Sequence, residues 1–160
     1  MTRVCLVGDE GVNLQYELLS RETARNALAA YDLGEPFENS VAIETVSLGS
    51  AVSLLNDLNW YLVRFVDDVI VFEPSVGDDE WLSRDLAAAI RDNRVEPADS
   101  ARFLKVYGVE ESTDESTPDQ PPRLVEPMFV TRTSDRLPEY DLRDVDDTLV
   151  VRVTESEFGA

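Results

Sequence analysis

The segment Val4-Cys5-Leu6-Val7-Gly8-Asp9-Glu10-Gly11 contains four consecutive apolar residues that end in a glycine- and acid-rich turn. A short, continuous apolar run predicts a strand that is buried on both faces, because an exposed face would require alternating polar residues. We therefore expect residues 4–7 to form a strand that is covered on each side, and residues 8–11 to form the turn that ends it.

Helical and β-rich segments alternate after this strand. Residues 41–48 and 69–72 are predicted strands, and apolar positions within 51–65 recur every three or four residues, as on one face of a helix. Residues 13–31 carry a looser apolar stripe that fits either one bent helix or two. An acidic start at residues 77–80 predicts a third helical segment.

Three more predicted strands follow, at residues 101–109, 124–133 and 148–154. Between the first two, residues 110–122 contain no apolar side chain except proline, and we expect a mobile acidic loop. Residues 155–160 are expected to form a frayed tail.

The predicted order is β-α-β-α-β-α followed by a β-β-β meander. This order is typical of a single α/β to α+β domain over residues 1–160, with a mixed sheet of about six strands. Right-handed crossovers in the first half predict a partly parallel sheet. Pro127 indicates an edge strand or a bulge. The last three strands either extend the first sheet or form a small subdomain.

The charge of the chain indicates its environment. Thirty-three Asp and Glu against 14 Lys and Arg give a net charge of -19, the acids are dispersed, and Lys105 is the only lysine. Such a surface suits molar salt, where the Debye length falls to about 3 Å. We expect a cytoplasmic protein of an extreme halophile; the alternative is an acidic partner-binding protein or a nucleic-acid mimic.

The same composition restricts partners and chemistry. No cluster of basic residues favours direct binding to nucleic acid, and no apolar stretch approaches the 18 residues of a membrane span. The chain has no histidine and one cysteine, Cys5, which excludes a Ser-His-Asp triad, a histidine-ligated metal site and an internal disulfide. Cys5 is expected to be a buried, inert thiol.

A metal site is the sharpest chemical hypothesis that the strand ends allow. Asp9 and Glu10 follow the first predicted strand and Glu73 follows the third, so parallel strands would bring these carboxylates to one edge. Oxygen ligands of this kind can hold Mg²⁺. Asp67 and Asp68 precede the third strand and are expected at the opposite end. The alternative is that all of these acids lie in solvated turns.

Aromatic residues also recur at helical spacing. Trp60, Tyr61, Phe65 and Trp81 could line a ligand pocket, but this spacing is more typical of a hydrophobic core.

Residues 4–10 resemble the opening of response-regulator receiver domains, in which the first strand ends in an acidic pair that binds Mg²⁺. That resemblance implies an aspartate phosphoacceptor after the third strand and a lysine at the end of the fifth. Here Glu73 occupies the first position, and Lys105 lies in the middle of a predicted strand. The resemblance therefore implies a degenerate relative that is not phosphorylated.

Over nearly its whole length the chain resembles a family of short, acidic proteins of halophilic archaea with no assigned function. The similar segments are residues 2–10, 13–25, 45–52 and 124–128. The resemblance implies adaptation to salt and a cytoplasmic setting, and it implies no activity, substrate or catalytic residue.

The function we expect is a non-catalytic binding or regulatory module that acts through protein partners or self-association and needs no cofactor. The alternative is a carboxylate-based, Mg²⁺-dependent enzyme that uses Asp9, Glu10 and Glu73. The absence of histidine favours the first reading, because histidine is the commonest acid–base catalyst near neutral pH.

The charge also predicts how stability depends on salt. The melting temperature, followed by circular dichroism, should be clearly higher in about 3 M KCl than in about 0.1 M KCl, because salt screens self-repulsion in the compact state. Equal melting temperatures at the two concentrations would contradict adaptation to high salt.

Overall fold

A single seven-stranded sheet organises the chain. The computed structural model describes residues 1–111, 120–133, 137–142, 144–145 and 147–159. The strands are β1 (Thr2–Gly8), β2 (Ser40–Thr45), β3 (Val66–Phe72), β4 (Trp81–Ser83), β5 (Phe103–Glu110), β6 (Arg123–Thr131) and β7 (Asp147–Arg152).

The strands lie side by side in the order β2-β1-β3-β4-β7-β5-β6. β1 is antiparallel to both β2 and β3, and among the described strands only β4 and β7 form a parallel pair. The last three strands therefore extend the first sheet and do not form a subdomain. The prediction of a partly parallel first half is wrong, and the mixed character of the sheet comes from β4 and β7.

Six α-helices accompany the sheet in the described residues. Residues 13–31 contain two helices, one of the two possibilities that the sequence left open, and a 3₁₀ turn at Pro97–Asp99 precedes β5. The helices are α1 (Leu14–Leu19), α2 (Glu22–Leu28), α3 (Leu48–Asp57), α4 (Asn59–Phe65), α5 (Arg84–Arg91) and α6 (Glu155–Phe158).

The end of the sheet to which each helical connection returns the chain explains the antiparallel pairing. The two short helices α1 and α2 fold back, so that β2 starts where β1 ends, with the Gly8 amide donating to the Asn39 carbonyl at 2.8 Å. The longer pair α3 and α4 crosses the sheet and returns the chain to the same end, where the Asp9 amide donates to the Phe65 carbonyl at 2.9 Å. β3 must therefore run opposite to β1.

The helix that was predicted to start at residues 77–80 is α5, and it starts later than predicted. Residues 81–83 form β4, and the hydroxyl of Ser83 accepts a hydrogen bond from the Leu86 amide at 3.1 Å, which caps the N-terminus of α5. Serine at this position satisfies an amide that would otherwise lack a partner, so the helix begins at Arg84. The acidic residues 77–80 consequently belong to the connection before β4.

The end of the chain is also more ordered than predicted. Where a frayed tail was expected, Thr154 and Glu157 form a reciprocal capping box at the start of α6. The Phe158 ring packs against Phe103, with 5.1 Å between ring centroids. Of the predicted acidic loop 110–122, Glu110 belongs to β5 and residues 112–119 lie outside the described residues.

The prediction for Pro127 is confirmed. β6 lies at the edge of the sheet and pairs with β5 alone. The register shifts between Val106 and Gly108 opposite Pro127, which places a bulge at the residue that lacks an amide hydrogen.

Both faces of β1 are buried, as its apolar run predicts. Val4, Cys5 and Leu6 have no exposed surface. Val4 and Leu6 pack against the helix layer, in a core with residues such as Leu55 and Leu86, whereas Cys5 lies in a second core with Ile70 and Val151. One core therefore lies between the sheet and the helices, and the other lies on the opposite face of the sheet.

The second core shows that the sheet curls. β3 and β5 are three strand positions apart, about 14 Å in a flat sheet. Nevertheless, the side chains of Lys105 and Tyr107 in β5 both donate hydrogen bonds to Asp68 in β3. A backbone hydrogen bond of 2.9 Å from Glu38 to Pro122 joins the chain next to β2 and β6, the two edge strands. The two halves of the sheet face each other across the second core.

The buried carboxylate of Glu80 stabilises the region where the sheet curls. Glu80, just before β4, is only 7% exposed and accepts hydrogen bonds from Arg132 and from Arg152, the latter at 2.7 Å. Burial alone would raise the pKa of Glu80, but the hydrogen bonds and positive charges of the two arginines outweigh it and lower that pKa. This charge group joins the end of β7 to the chain that follows β6.

The helices are short compared with the thickness of a bilayer. The longest described helix, α3, has 10 residues, about half of the roughly 20 that a transmembrane span requires. In the described ranges, no helix is both long and apolar enough to span a membrane.

The curled sheet predicts that its C-terminal strands are essential for stability. Leu149→Ala removes a buried side chain of β7 from the second core and should lower the free energy of unfolding by about 2–5 kcal/mol. Leu142→Ala, at a leucine that is 47% exposed, is the matched control and should change it by less than about 0.5 kcal/mol. Urea unfolding followed by circular dichroism measures both; equal effects would contradict the second core.

Candidate functional site

The three carboxylates of the predicted metal site do not meet. Because β1 and β3 run antiparallel, Asp9 and Glu10 follow β1 at one end of the sheet, whereas Glu73 follows β3 at the other. A seven-residue strand separates the two ends, which is about 20 Å. The premise of parallel strands that placed them together is therefore wrong.

Each end of the sheet has its own acidic environment. Glu73 accepts hydrogen bonds from the hydroxyls of Thr2 at 2.9 Å and Ser75 at 3.2 Å, so it closes the end of β3 onto the start of β1. Asp67 and Asp68 lie within β3, at the end that holds Asp9, contrary to expectation.

Asp9, Asp67 and Asp68 lie close together at the end of the sheet where β1 ends, but they do not form a metal centre. Burial, and then the like charges of Asp68 and Asp9, raise the pKa of Asp67. Among the residues that the structure describes, no group of three or more acidic or cysteine side chains has the arrangement of a metal site.

The only lysine occupies the interior of the curled sheet. The Lys105 ammonium and the Tyr107 hydroxyl both donate to the same carboxylate oxygen of Asp68, and the Lys105 and Asp68 side chains are only 12% and 16% exposed. Burial, and then the negative charge of Asp68, raise the pKa of Tyr107, so its phenol stays protonated and remains a donor.

This Asp68–Lys105–Tyr107 cluster has a structural use. The lysine charge compensates a carboxylate that would be costly to bury alone, and the two donors occupy it. Lys105 lies in the middle of β5, as predicted, and not at a strand end where a receiver-like lysine would be required. The cluster joins β3 to β5 across the second core.

Cys5 carries the one thiol of the chain, and that thiol is buried and inert. It has no exposed surface, and burial raises the pKa of its thiol to about 12, even though a hydrogen bond with Ser40 opposes that shift. The thiolate is the reactive form of cysteine, so very little of it exists near neutral pH.

The helix layer carries a different kind of feature, which we call the Trp60 patch: Arg21, Trp60, Val63 and Arg64. Trp60 and Val63 are 49% and 71% exposed, although both are large and apolar. The Arg64 guanidinium lies 3.8 Å from the centroid of the Trp60 ring, and that of Arg21 lies 5.6 Å from it. The indole is therefore stacked against one cation and approached by a second.

Local contacts fix the two arginines of the patch. Arg64 donates to the carbonyl of Trp60, one helical turn earlier, at 2.8 Å. Arg21, which precedes α2, pairs with Glu17 at 3.2 Å and also lies 5.1 Å from the Phe65 ring centroid. Arg21 thereby links α1 and α2 to α4.

The sequence pattern did not distinguish the buried Tyr61 from the exposed Trp60. The expectation of a core position holds for Tyr61, which is 8% exposed, and not for Trp60 next to it. The helical spacing could have revealed part of the patch, because Trp60, Val63 and Arg64 occupy one face of α4, at positions i, i+3 and i+4. Arg21 is distant in sequence, and nothing in the pattern links it to Trp60.

Comparison with known proteins gives one match. A family model described as a family of unknown function, DUF5804, matches residues 2–109, which is more than half of the chain. The matched residues end within β5, so β6, β7 and α6 lie beyond them. No curated protein and no solved structure matches the chain.

The burial of the Asp68–Lys105 pair predicts that its two charges are strongly coupled. A double-mutant cycle of Asp68→Asn and Lys105→Met, read from urea unfolding, should give a coupling energy of about 1–3 kcal/mol, because either single change leaves one charge without compensation. The control is the pair Arg3–Glu44, whose side chains are 49% and 54% exposed, with an expected coupling of at most about 1 kcal/mol. A smaller coupling for Asp68–Lys105 than for the control would contradict its interior role.

Proposed function

The chain belongs to the DUF5804 family, which has no assigned function, and we propose that it is a protein-binding module. Its contact surface is the Trp60 patch on the helix layer, and it binds without a catalytic step of its own. A protein partner, or a second copy of the chain, occupies the patch.

One observation carries this proposal: an exposed tryptophan is stacked on arginine on the surface of a very acidic chain. Tryptophan and arginine are the residue types most enriched among the positions that dominate binding energy at protein interfaces. Leaving large apolar side chains such as Trp60 and Val63 in water forgoes the stabilisation that their burial would bring. A partner that covers them supplies that burial.

The surroundings of the patch fit an interface. Cation–π contacts and the 2.8 Å hydrogen bond to the Trp60 carbonyl restrict the motion of Arg64 before any partner arrives. A side chain that is already ordered loses less conformational entropy on binding. The patch is therefore prepared for contact in the free protein.

The proposed setting of this module is the cytoplasm of a halophilic archaeon. The dispersed acids and the net charge of -19 support it, since they suit an environment in which salt screens self-repulsion. High salt also strengthens the burial of apolar surface when the ions are excluded from protein, which favours contacts such as those of Trp60.

The experiment compares matched variants in partner binding. Tagged wild-type protein is cross-linked in host cells at high salt, the partner is purified, and its Kd is measured with each purified variant. Trp60→Ala should weaken binding by about 30-fold or more, because hot-spot tryptophans contribute about 2 kcal/mol or more. Val63→Ala should weaken it less, in the same direction.

Val46→Ala is the matched control, since Val46 is an exposed valine, at 78%, outside the patch. It should leave the Kd unchanged. Self-association, measured by sedimentation velocity, is analysed with the same variants. If Val63→Ala and Val46→Ala have equal effects, and Trp60→Ala binds like the wild type, the patch is not the contact surface.

A further inference from the structure

We propose that the Trp60 patch recognises a carboxylate-bearing segment of a partner protein, in which an Asp or Glu side chain adjoins a large apolar residue. This inference rests on the proposed function and specifies the chemistry of the partner. The carboxylate pairs with Arg64, and the apolar residue covers Trp60 and Val63.

The proposed contact with a carboxylate depends on how the Arg64 guanidinium is held. Its guanidinium lies against the indole at 3.8 Å, and one of its N–H groups is used on the Trp60 carbonyl. A guanidinium has five N–H donors in a planar fork. In the part of the chain that the structure describes, no carboxylate pairs with Arg64. Arg64 is an exposed residue, so its remaining donors are accessible to a carboxylate, which can bind a guanidinium through two parallel hydrogen bonds.

Arg21 adds a second positive charge on the same indole. It is already paired with Glu17, and its side chain is 42% exposed. Its guanidinium lies 5.6 Å from the Trp60 centroid. Glu17 compensates the charge of Arg21, so Arg64 supplies the cation that contacts the partner's carboxylate.

The apolar part of the partner follows from α4. Val63 is one helical turn from Trp60, and the two side chains are both exposed on the face that carries Arg64. An aliphatic side chain next to the partner's carboxylate can pack on this surface while the carboxylate reaches the guanidinium. A small free anion would leave the apolar surface uncovered.

Charge complementarity selects a carboxylate over a cation. The chain as a whole repels acidic molecules, yet Arg64 presents a guanidinium on the Trp60 ring, whereas the second arginine at the ring, Arg21, is paired with Glu17. Discrimination must therefore come from short-range contact, which persists in salt better than long-range attraction does.

The experiment titrates the full-length protein with end-blocked peptides in about 1 M KCl, where the Debye length is about 3 Å. The peptides are Gly-Glu-Leu-Leu-Glu-Gly and its Gln-for-Glu counterpart. The readout is the NMR signal of the Trp60 indole N–H and of the Arg64 Nε–H. We expect the Glu peptide to shift both signals, with a Kd at least about tenfold lower than that of the Gln peptide.

Variants assign the recognition to the guanidinium. Arg64→Gln should abolish the preference for Glu over Gln, and Arg64→Lys should restore it only partly, because an ammonium lacks the planar fork. Arg94→Gln is the matched control: it removes the same charge from an arginine that is 66% exposed and pairs with Asp92. This control should keep the full preference.

Equal binding of the Glu and Gln peptides would overturn the inference, as would an unchanged preference in Arg64→Gln. Neither result would remove the proposed function, which depends on the Kd of the purified partner with Trp60→Ala and Val63→Ala. Conversely, an unaffected partner Kd in those variants would remove the proposed function. The two claims therefore fail on different measurements.

Discussion

The fold depends on covering both faces of β1, whose residues Val4, Cys5 and Leu6 are fully buried. Five helices cover one face, and of the described helices only the short α6, through Phe158, packs on the core of the other face. The sheet instead curls, so that β5 and β7 supply the second cover. Polar interactions fasten this arrangement: Glu80 is held by two arginines where the sheet turns, and Asp68 joins β3 to β5 through Lys105 and Tyr107.

The curl also determines where function can lie. The interior residues that could suggest chemistry already have structural roles. Cys5 is packed in the second core, and Asp68 and Lys105 pair with each other. The proposed contact surface lies on the helix layer, where Trp60 is exposed and the Arg64 guanidinium lies against it. The segment matched to the family ends in β5, although β7 lies between β4 and β5 in the sheet. Among the matched strands only β5 is separated from the others by β7, whereas the core beneath the helix layer consists of residues within the matched segment.

Local patterns predicted the features that depend on local sequence. The apolar run of β1, the edge position and bulge at Pro127, and the placement of Lys105 within a strand all follow from residues close in the chain. The direction of a strand depends on the end of the sheet to which the preceding connection returns the chain. The antiparallel pairing of β1 and β3 could therefore not be predicted from local sequence. The prediction of a site formed by Asp9, Glu10 and Glu73 was wrong for the same reason. The arginines that bind Glu80 lie 52 and 72 residues away in sequence, and Arg21 lies 39 residues before Trp60, so local patterns could not link them.

The proposed recognition surface lies on the helix layer, and the curled sheet closes the second core on the opposite face. Native-state hydrogen exchange at the Cys5 amide in β1 and the Val151 amide in β7 tests this closure most directly, because the two residues share the second core but come from opposite ends of the chain. Both amides should exchange only through global unfolding, with equal opening free energies. A clearly lower opening free energy at Val151, with Cys5 still protected, would show that the C-terminal strands open separately and would contradict that closure.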